Sequence, residues 1–171
     1  DSKNYLWIGG FHGLIKLDKR NGATEIHLND RRRPKSLSAY RIYDIKEDRS
    51  GSMWIGTYKG GVNRFDPRLN KFISFVHDEF NTNSLAGQGV KAFFKDENGV
   101  LWIGTENNGL DNYDSKQKTF KHFRHNPEDK TSISDNSIYS MAKDKSGRLW
   151  IGTFGGGINI FDTQTEKFKR L

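Results

Sequence analysis

One five-residue stretch recurs four times, and the interval between its copies constrains the fold more than any other feature of the chain. It reads Leu6-Trp7-Ile8-Gly9-Gly10, Met53-Trp54-Ile55-Gly56-Thr57, Leu101-Trp102-Ile103-Gly104-Thr105 and Leu149-Trp150-Ile151-Gly152-Thr153. All four tryptophans lie in it, 47, 48 and 48 residues apart. Self-similarity at a fixed period of this size marks a series of stacked supersecondary units.

Aligned on the tryptophans, each unit resolves into four short segments. The first is Ile42-Tyr43-Asp44-Ile45, Val90-Lys91-Ala92-Phe93 or Ile138-Tyr139-Ser140-Met141. Its apolar residues are three apart, which alone would suit a helical turn. The segment is too short for a typical helix, however, and it ends in Asp48, Asp96 or Asp144, followed three residues later by Gly51, Gly99 or Gly147. In such a turn the carboxylate caps local amides and the glycine takes a positive φ. The segment is therefore read as a strand entering a hairpin, and the three aspartates as structural. At the start of the chain Asp1 and Asn4 take the same two places, asparagine being the next-best residue for a left-handed turn.

The tryptophan strand comes second, with Trp7, Trp54, Trp102 and Trp150 expected to pack between units. A glycine-rich turn leads to a third strand: Leu14-Ile15-Lys16-Leu17, Val62-Asn63-Arg64-Phe65, Leu110-Asp111-Asn112-Tyr113 or Ile158-Asn159-Ile160-Phe161. Asp18, Asp66, Asp114 or Asp162 opens the next turn, and a fourth strand follows. In the first unit that strand, Glu25-Ile26-His27-Leu28, reads as shifted in register. The long polar connections from Asn29, His77 and Arg124 repeat Leu37, Leu85 and Ile133 at matching places, so these residues should tuck inward.

Four strands per unit with tryptophan and glycine marks is the pattern of a β-propeller blade. The expected fold is all-β, a partial propeller of about 3.75 four-stranded antiparallel blades in one domain over 1–171. Blade boundaries fall near 1–35, which lacks a first strand, 36–83, 84–131 and 132–171. Turn density and the missing 3.6-residue stripe exclude helical repeats, and β-solenoid coils are shorter. Three and three-quarter blades would leave open edges. The expectation is thus a piece of a larger chain, or self-association with another copy.

Composition narrows the function classes. Hydrophobic residues make up only 33% of the chain, but 13% are aromatic, which argues against disorder. No apolar run approaches the ~18–20 residues of a membrane span. The absence of cysteine removes disulfides, thiolate metal sites and a cysteine nucleophile. The formal charge of +7 is a modest preference for anionic partners, or simply a solvated basic surface.

The repeated pattern Ile-x-x-(Ile/Phe)-x-x-Asp-x-x-Gly-x-(Leu/Met)-Trp-Ile-Gly-Thr-x-x-Gly-Gly is carried by Arg41 to Val62, Gly89 to Leu110 and Asn136 to Ile158. It resembles the two-component regulator propeller repeat. Such repeats occur in the periplasmic sensor regions of hybrid two-component systems, notably in gut Bacteroidetes. The resemblance implies seven-bladed propellers, usually two in tandem. An immunoglobulin-like domain, a membrane span, a histidine kinase and a DNA-binding response regulator normally follow. It also implies a periplasmic chain that senses glycan breakdown products and induces the genes that degrade the glycan. Those further parts lie outside the 171 residues, so any membrane contact would be made by them.

Candidate site residues follow from what the repeat leaves variable. Phe11-His12, Tyr58-Lys59, Glu106-Asn107 and Phe154 stand just after Ile-Gly-Thr and differ from unit to unit. Aromatic rings beside polar side chains suit a sugar site, because rings stack on pyranose faces while Asn, Lys or Glu bind hydroxyls. The same residues also read as ordinary exposed loops. If the propeller is built like tryptophan–aspartate-repeat proteins, these loops share a rim with the connections between blades. Arg31, Arg32, Arg33 and Lys35 cluster in one such connection as candidate anion contacts, since arginine forks bind carboxylate or sulfate. An acidic oligosaccharide would fit them, as would a neighbouring protein or solvent.

No metal, cofactor or catalytic residue is assigned. His122 and His125 are three apart on a strand and face opposite sides. His77 and His125 share one repeat position, which indicates a structural place. Enzyme chemistry would need a carboxylate pair or an activated base, for which Glu106 and Asp111 are the weak candidates. Three functions remain: a glycan-sensing propeller, a protein-interaction or dimerisation scaffold, and a propeller lyase or hydrolase. Nucleic-acid binding ranks below these, because the basic residues are dispersed outside one loop.

Overall fold

The computed structural model describes residues 1–96 and 99–171. Glu97 and Asn98, between Asp96 and Gly99 in the sequence, lie outside the described residues. The chain is all-β. A first sheet contains β1 (Tyr5–Gly10), β2 (Gly13–Asp18) and β3 (Thr24–His27). The second contains β4 (Ile42–Glu47), β5 (Met53–Thr57), β6 (Val62–Asp66) and β7 (Lys71–Phe75). The third contains β8 (Val90–Lys95), β9 (Leu101–Thr105), β10 (Leu110–Asp114) and β11 (Thr119–Phe123). The last contains β12 (Ile138–Lys143), β13 (Leu149–Thr153), β14 (Ile158–Asp162) and β15 (Lys167–Arg170). In every sheet consecutive strands are neighbours, as in the antiparallel meander of a propeller blade.

The first strands explain why their apolar residues fall three apart. Opposite β5, Ile42 pairs with Thr57 and Asp44 with Gly56, leaving Tyr43 bulged out of the ladder. Opposite β13, Ile138 and Ser140 pair while Tyr139 is bulged. One extra residue restores the inward direction at Ile45 and Met141, so the helix-like spacing is a bulged strand. The Asp-x-x-Gly turns close as expected: Gly51 N and Gly147 N donate to the Asp48 and Asp144 carbonyls at 2.9 and 3.0 Å. Both glycines have positive φ, and so does Asn4 at 65°.

The register of the first blade is not shifted. Leu14 pairs with His27 as Val62 pairs with Phe75 and Leu110 with Phe123. What differs is residue type: Thr24 and His27 stand where the second blade has Phe72 and Phe75, and Ile26 points outward, 62% exposed.

The residues gather into two compact units, Asp1–Val76 with Gln88–Val90, and His77–Gly87 with Lys91–Leu171. In the first, Leu14, Leu37, Ile42, Met53, Ile55, Phe65 and Phe72 form the core. In the second, Leu110, Ile133, Ile138, Leu149, Ile151, Phe161 and Phe168 do so, together with Trp102. The seven positions correspond one to one, two repeats apart. Leu37, Leu85 and Ile133 from the connections are completely buried, as their recurrence requires.

The tryptophans divide. Trp54 and Trp102 are buried, while Trp7 and Trp150 are half-buried. Trp7 packs edge-on against Phe65 of the next blade in its unit, and Trp102 against Phe161 in the other, both at 5.2 Å. The indole N–H groups of Trp7, Trp54 and Trp150 donate to Asp1, Asp48 and Asp144 at 2.7, 2.9 and 2.8 Å. The turn aspartate six residues upstream thus satisfies a donor that would otherwise be costly to desolvate.

Candidate functional site

The pairing puts the variable residues at one end of each sheet. Ile42 opens β4 opposite Thr57, where β5 ends, and Ile138 opens β12 opposite Thr153. Tyr58 N donates to the Arg41 carbonyl at 3.0 Å, and Phe154 N to the Ser137 carbonyl at 2.9 Å. The residue before the first strand and the residue after the tryptophan strand are therefore clasped together at a rim.

In the first unit this rim carries rings and cations. The Arg41 guanidinium lies over Phe11 at 4.8 Å and over Tyr58 at 5.0 Å. Tyr43, swung aside by its bulge, meets Tyr58 edge-on at 5.9 Å. Lys59, held at φ 61°, brings its ammonium within 5.2 Å of the Tyr58 ring. Phe11 is 65% exposed at the tip of the two-residue β1–β2 turn, beside the exposed His12. A phenyl ring so exposed contributes little to the core.

In the second unit the equivalent places are filled differently. Glu106 pairs with Lys91 at 3.2 Å, and the Lys91 ammonium also lies 5.0 Å over Tyr139. Tyr139 stacks on Phe154 at 5.6 Å, with Phe154 77% exposed. Ser137 Oγ donates to Asn107 Oδ1 at 2.6 Å, fixing the side chain of that turn. Every residue selected from the variable loops thus lies at a rim, and Phe11 with Tyr58 share a partner. The sequence reading passed over Arg41, Tyr43, Lys91, Ser137 and Tyr139 because they belong to or border a strand taken as scaffold. The signal was present: at those two repeat positions the units carry Arg, Gly, Ser and Tyr, Lys, Tyr.

The basic cluster sits elsewhere. Arg31, Arg32, Arg33 and Lys35 are exposed in a turn organised by Asp30, which accepts from Arg32 N at 2.9 Å and pairs with Arg33 at 3.4 Å. The Lys35 carbonyl accepts from Phe72 N, near the start of β7. That is the end of the sheet opposite the rim, where Asp66 pairs with Lys71. The connection reaches the rim only in its last residues, through Ser38 Oγ donating to the Gly60 carbonyl at 2.6 Å. Arg33 and Lys35 instead line a cavity of about 640 Å³ with Glu25, Asp30 and Lys71.

A second cavity, of about 610 Å³, is bordered by Asp78, Thr82, Asn108, His122 and Arg124. Beneath it His122 Nδ1 meets Asp111 Oδ1 at 2.7 Å, while its Nε2 meets the Thr82 carbonyl at 3.1 Å. Asp111 is completely buried, and its other oxygen accepts from Ala86 N at 2.7 Å. Burial pushes the Asp111 carboxyl above the ordinary carboxylate range, and the bond to Asp111 raises His122. Asp111 is an enclosed anchor with both oxygens engaged, and Glu106 is paired with Lys91. His77 and His125 play equivalent parts, each placing Nδ1 2.7 Å from a carbonyl, that of Leu85 or Ile133. Among the described residues no group of three or more His, Cys, Asp or Glu is placed to hold a metal ion. No helix among them is long and apolar enough to cross a membrane.

Antiparallel meander sheets that repeat along the chain, with Trp7, Trp54 and Trp150 bonded to their own turns and Trp7 and Trp102 packed on the next blade of their unit, define a repeat β-propeller. The chain carries three two-component regulator propeller repeats: the model of that repeat matches residues 36–59, 84–107 and 132–155. No curated protein matches the sequence. Among solved structures it is similar to the extracellular domain of a putative hybrid two-component system from B. thetaiotaomicron. The TM-score there is 0.82 at 24% identity, over 98% of this chain and 22% of that one. A second extracellular domain from the same organism, also of a putative hybrid two-component system, matches at TM-score 0.82 and 25% identity, over 100% of this chain and 24% of that one. An auxiliary nutrient binding protein from Bacteroides ovatus shares the fold, with TM-score 0.65 and 13% identity over 99% of this chain and 38% of that one. The chain thus spans about a quarter of the length of the first two.

Proposed function

We propose that this chain is a ligand-sensing propeller segment of a hybrid two-component system, which recognises glycan breakdown products in the periplasm and so controls polysaccharide-utilisation genes. The segment binds and does not catalyse. The observation that carries this reading is the rim: within a repeat that is otherwise nearly constant, the residues that vary are exposed rings and hydrogen-bonding side chains. In the first unit Phe11 offers a face for pyranose stacking and Lys59 a polar group for hydroxyls; in the second, Phe154 and Asn107 offer the same. The matched repeats and the extracellular domains that share the fold support the signalling context.

Isothermal titration of the chain against a panel of neutral and acidic oligosaccharides tests the reading. At least one sugar should saturate the chain. The ring variant of the unit that binds it, Phe11→Ala in the first or Phe154→Ala in the second, should weaken it about five-fold, the equivalent of ~1 kcal/mol of ring contact. Binding of no oligosaccharide at all would remove the glycan reading and leave a protein-interaction scaffold. Turnover of any sugar in the cell would revive the hydrolase or lyase alternative.

A further inference from the structure

Arg41 is a cation to which the described residues supply no anion. Its guanidinium lies over Phe11 and Tyr58 at 4.8 and 5.0 Å. Its Nε is buried without a hydrogen-bond partner among the described residues. Two aromatic rings beside the guanidinium restrict its motion without using its donors, because the attraction is to the ring faces. Its backbone is fixed by the bond from Tyr58 N, and Tyr43 buttresses Tyr58. Lys59 adds a second positive charge on the same ring at 5.2 Å.

The second unit shows what normally completes such a rim. Glu106 stands at the repeat position of Tyr58 and gives Lys91, at the position of Tyr43, a carboxylate at 3.2 Å. In the first unit a ring has replaced that acid, and neither Arg41 nor Lys59 has a carboxylate partner among the described residues. The two cations and two rings are left with an open acceptor place.

We propose that Arg41, covered by Phe11 and Tyr58 and assisted by Lys59, is a clamp for the carboxylate of a uronic-acid residue in an oligosaccharide ligand. The planar fork of the guanidinium matches the two oxygens of a carboxylate, while the rings offer apolar faces to the pyranose that carries it. This assignment rests on the glycan reading above and moves the anion contact from the Arg31–Lys35 turn to the opposite end of the sheet.

The test is titration of the chain with oligosaccharides of galacturonate, glucuronate and mannuronate, each beside its carboxyl-reduced counterpart. At least one uronate should bind ten-fold or more tightly than its reduced form. Arg41→Gln should erase that preference and leave affinity for the reduced sugar unchanged, and Arg41→Lys, which keeps the charge but not the fork, should fall between. Arg33→Gln should behave as wild type. Melting followed by circular dichroism checks that each variant folds. Phe11→Ala, at an exposed hairpin tip, is the second probe and should reduce the preference several-fold. Raising the salt concentration should weaken uronate binding alone. Equal binding of acidic and reduced sugars, or a preference that survives Arg41→Gln, overturns the clamp and leaves glycan sensing standing. A sulfated neutral oligosaccharide that binds as tightly as the best uronate overturns the assignment to carboxylate. Binding of no sugar overturns both.

Discussion

Asp111 carries a charge where its counterparts in the second and fourth blades, Asn63 and Asn159, carry an amide. Asn63 accepts from Ser38 N at 3.0 Å and donates to Ser38 Oγ at 2.6 Å; Asn159 does the same with Ser134, at 2.9 and 2.7 Å. The third blade has Ala86 in place of that serine, so an amide donor there would find no hydroxyl. Asp111 removes the donor, and His122, at the place of Ser74, supplies an N–H. Three linked substitutions thus keep the buried position satisfied, which matters because an unpaired buried polar group costs about 1–3 kcal/mol. Both nitrogens of His122 face acceptors, so the protonated ring satisfies both. Its raised pKa means that this stability is present in full below the ordinary imidazole value of 6.5 and is lost as pH rises through the raised one. Urea midpoints of the wild type should therefore fall between pH 6 and pH 8.5 relative to those of the Ala86→Ser, Asp111→Asn, His122→Ser triple variant, which copies the second blade at all three positions. Parallel pH profiles would refute the coupling.

At the scale of the element, the tryptophan strand requires its glycine. A Cβ on Gly104 would come 2.5 Å from Ile138 Cγ2 and 3.5 Å from Met141 Cε. Ile138 is β-branched and completely buried, so it cannot turn away. Gly104→Ala should lower stability by about 1–3 kcal/mol, the usual cost of overpacking, read as a lower melting temperature. An unchanged melting temperature would mean that the blades can separate locally. The strands, turns and inward leucines were legible because each repeats, and repetition separates a residue required by the fold from one that merely occupies a loop. The bulges at Tyr43 and Tyr139 were not legible as such. A bulge shows in sequence only as apolar residues three apart, which a helical turn also produces. The candidate site was half legible for the same reason. Phe11, Tyr58 and Phe154 stood out in a turn, whereas Arg41 and Lys91 lie where the alignment assigns scaffold. Only the geometry showed that one of them is paired and the other is not.

The whole molecule repeats one core at seven matching positions in its two units, and aspartates of depressed pKa hold turns in both. Asp18 is lowered to about 2, chiefly by the hydrogen bond from the Arg20 side chain, and it belongs to the first unit. Three further aspartates with depressed pKa belong to the second. Asp144 is held well below the carboxylate range first by the Trp150 indole N–H, Asp129 by the Thr131 hydroxyl, and Asp162 by the amides of Gln164 and Thr165. A lowered carboxyl stabilises the fold above its ordinary value of 3.8, and that contribution is lost as pH falls toward the lowered one. Asp111, raised by burial, works in the opposite sense and favours folding as pH falls, but it is one group against three. In a repeat architecture each unit depends mainly on its own contacts and can open separately. Between pH 4 and pH 2 the amides of β12 to β15 should therefore lose hydrogen-exchange protection as the Asp144 and Asp162 carboxylates protonate. Asp144→Asn should lower protection of that sheet at pH 6 and flatten its decline in acid, because the amide can still accept but no longer carries the charge. An unchanged decline in the Asp144→Asn variant would show that acid acts on this sheet through other groups than this turn.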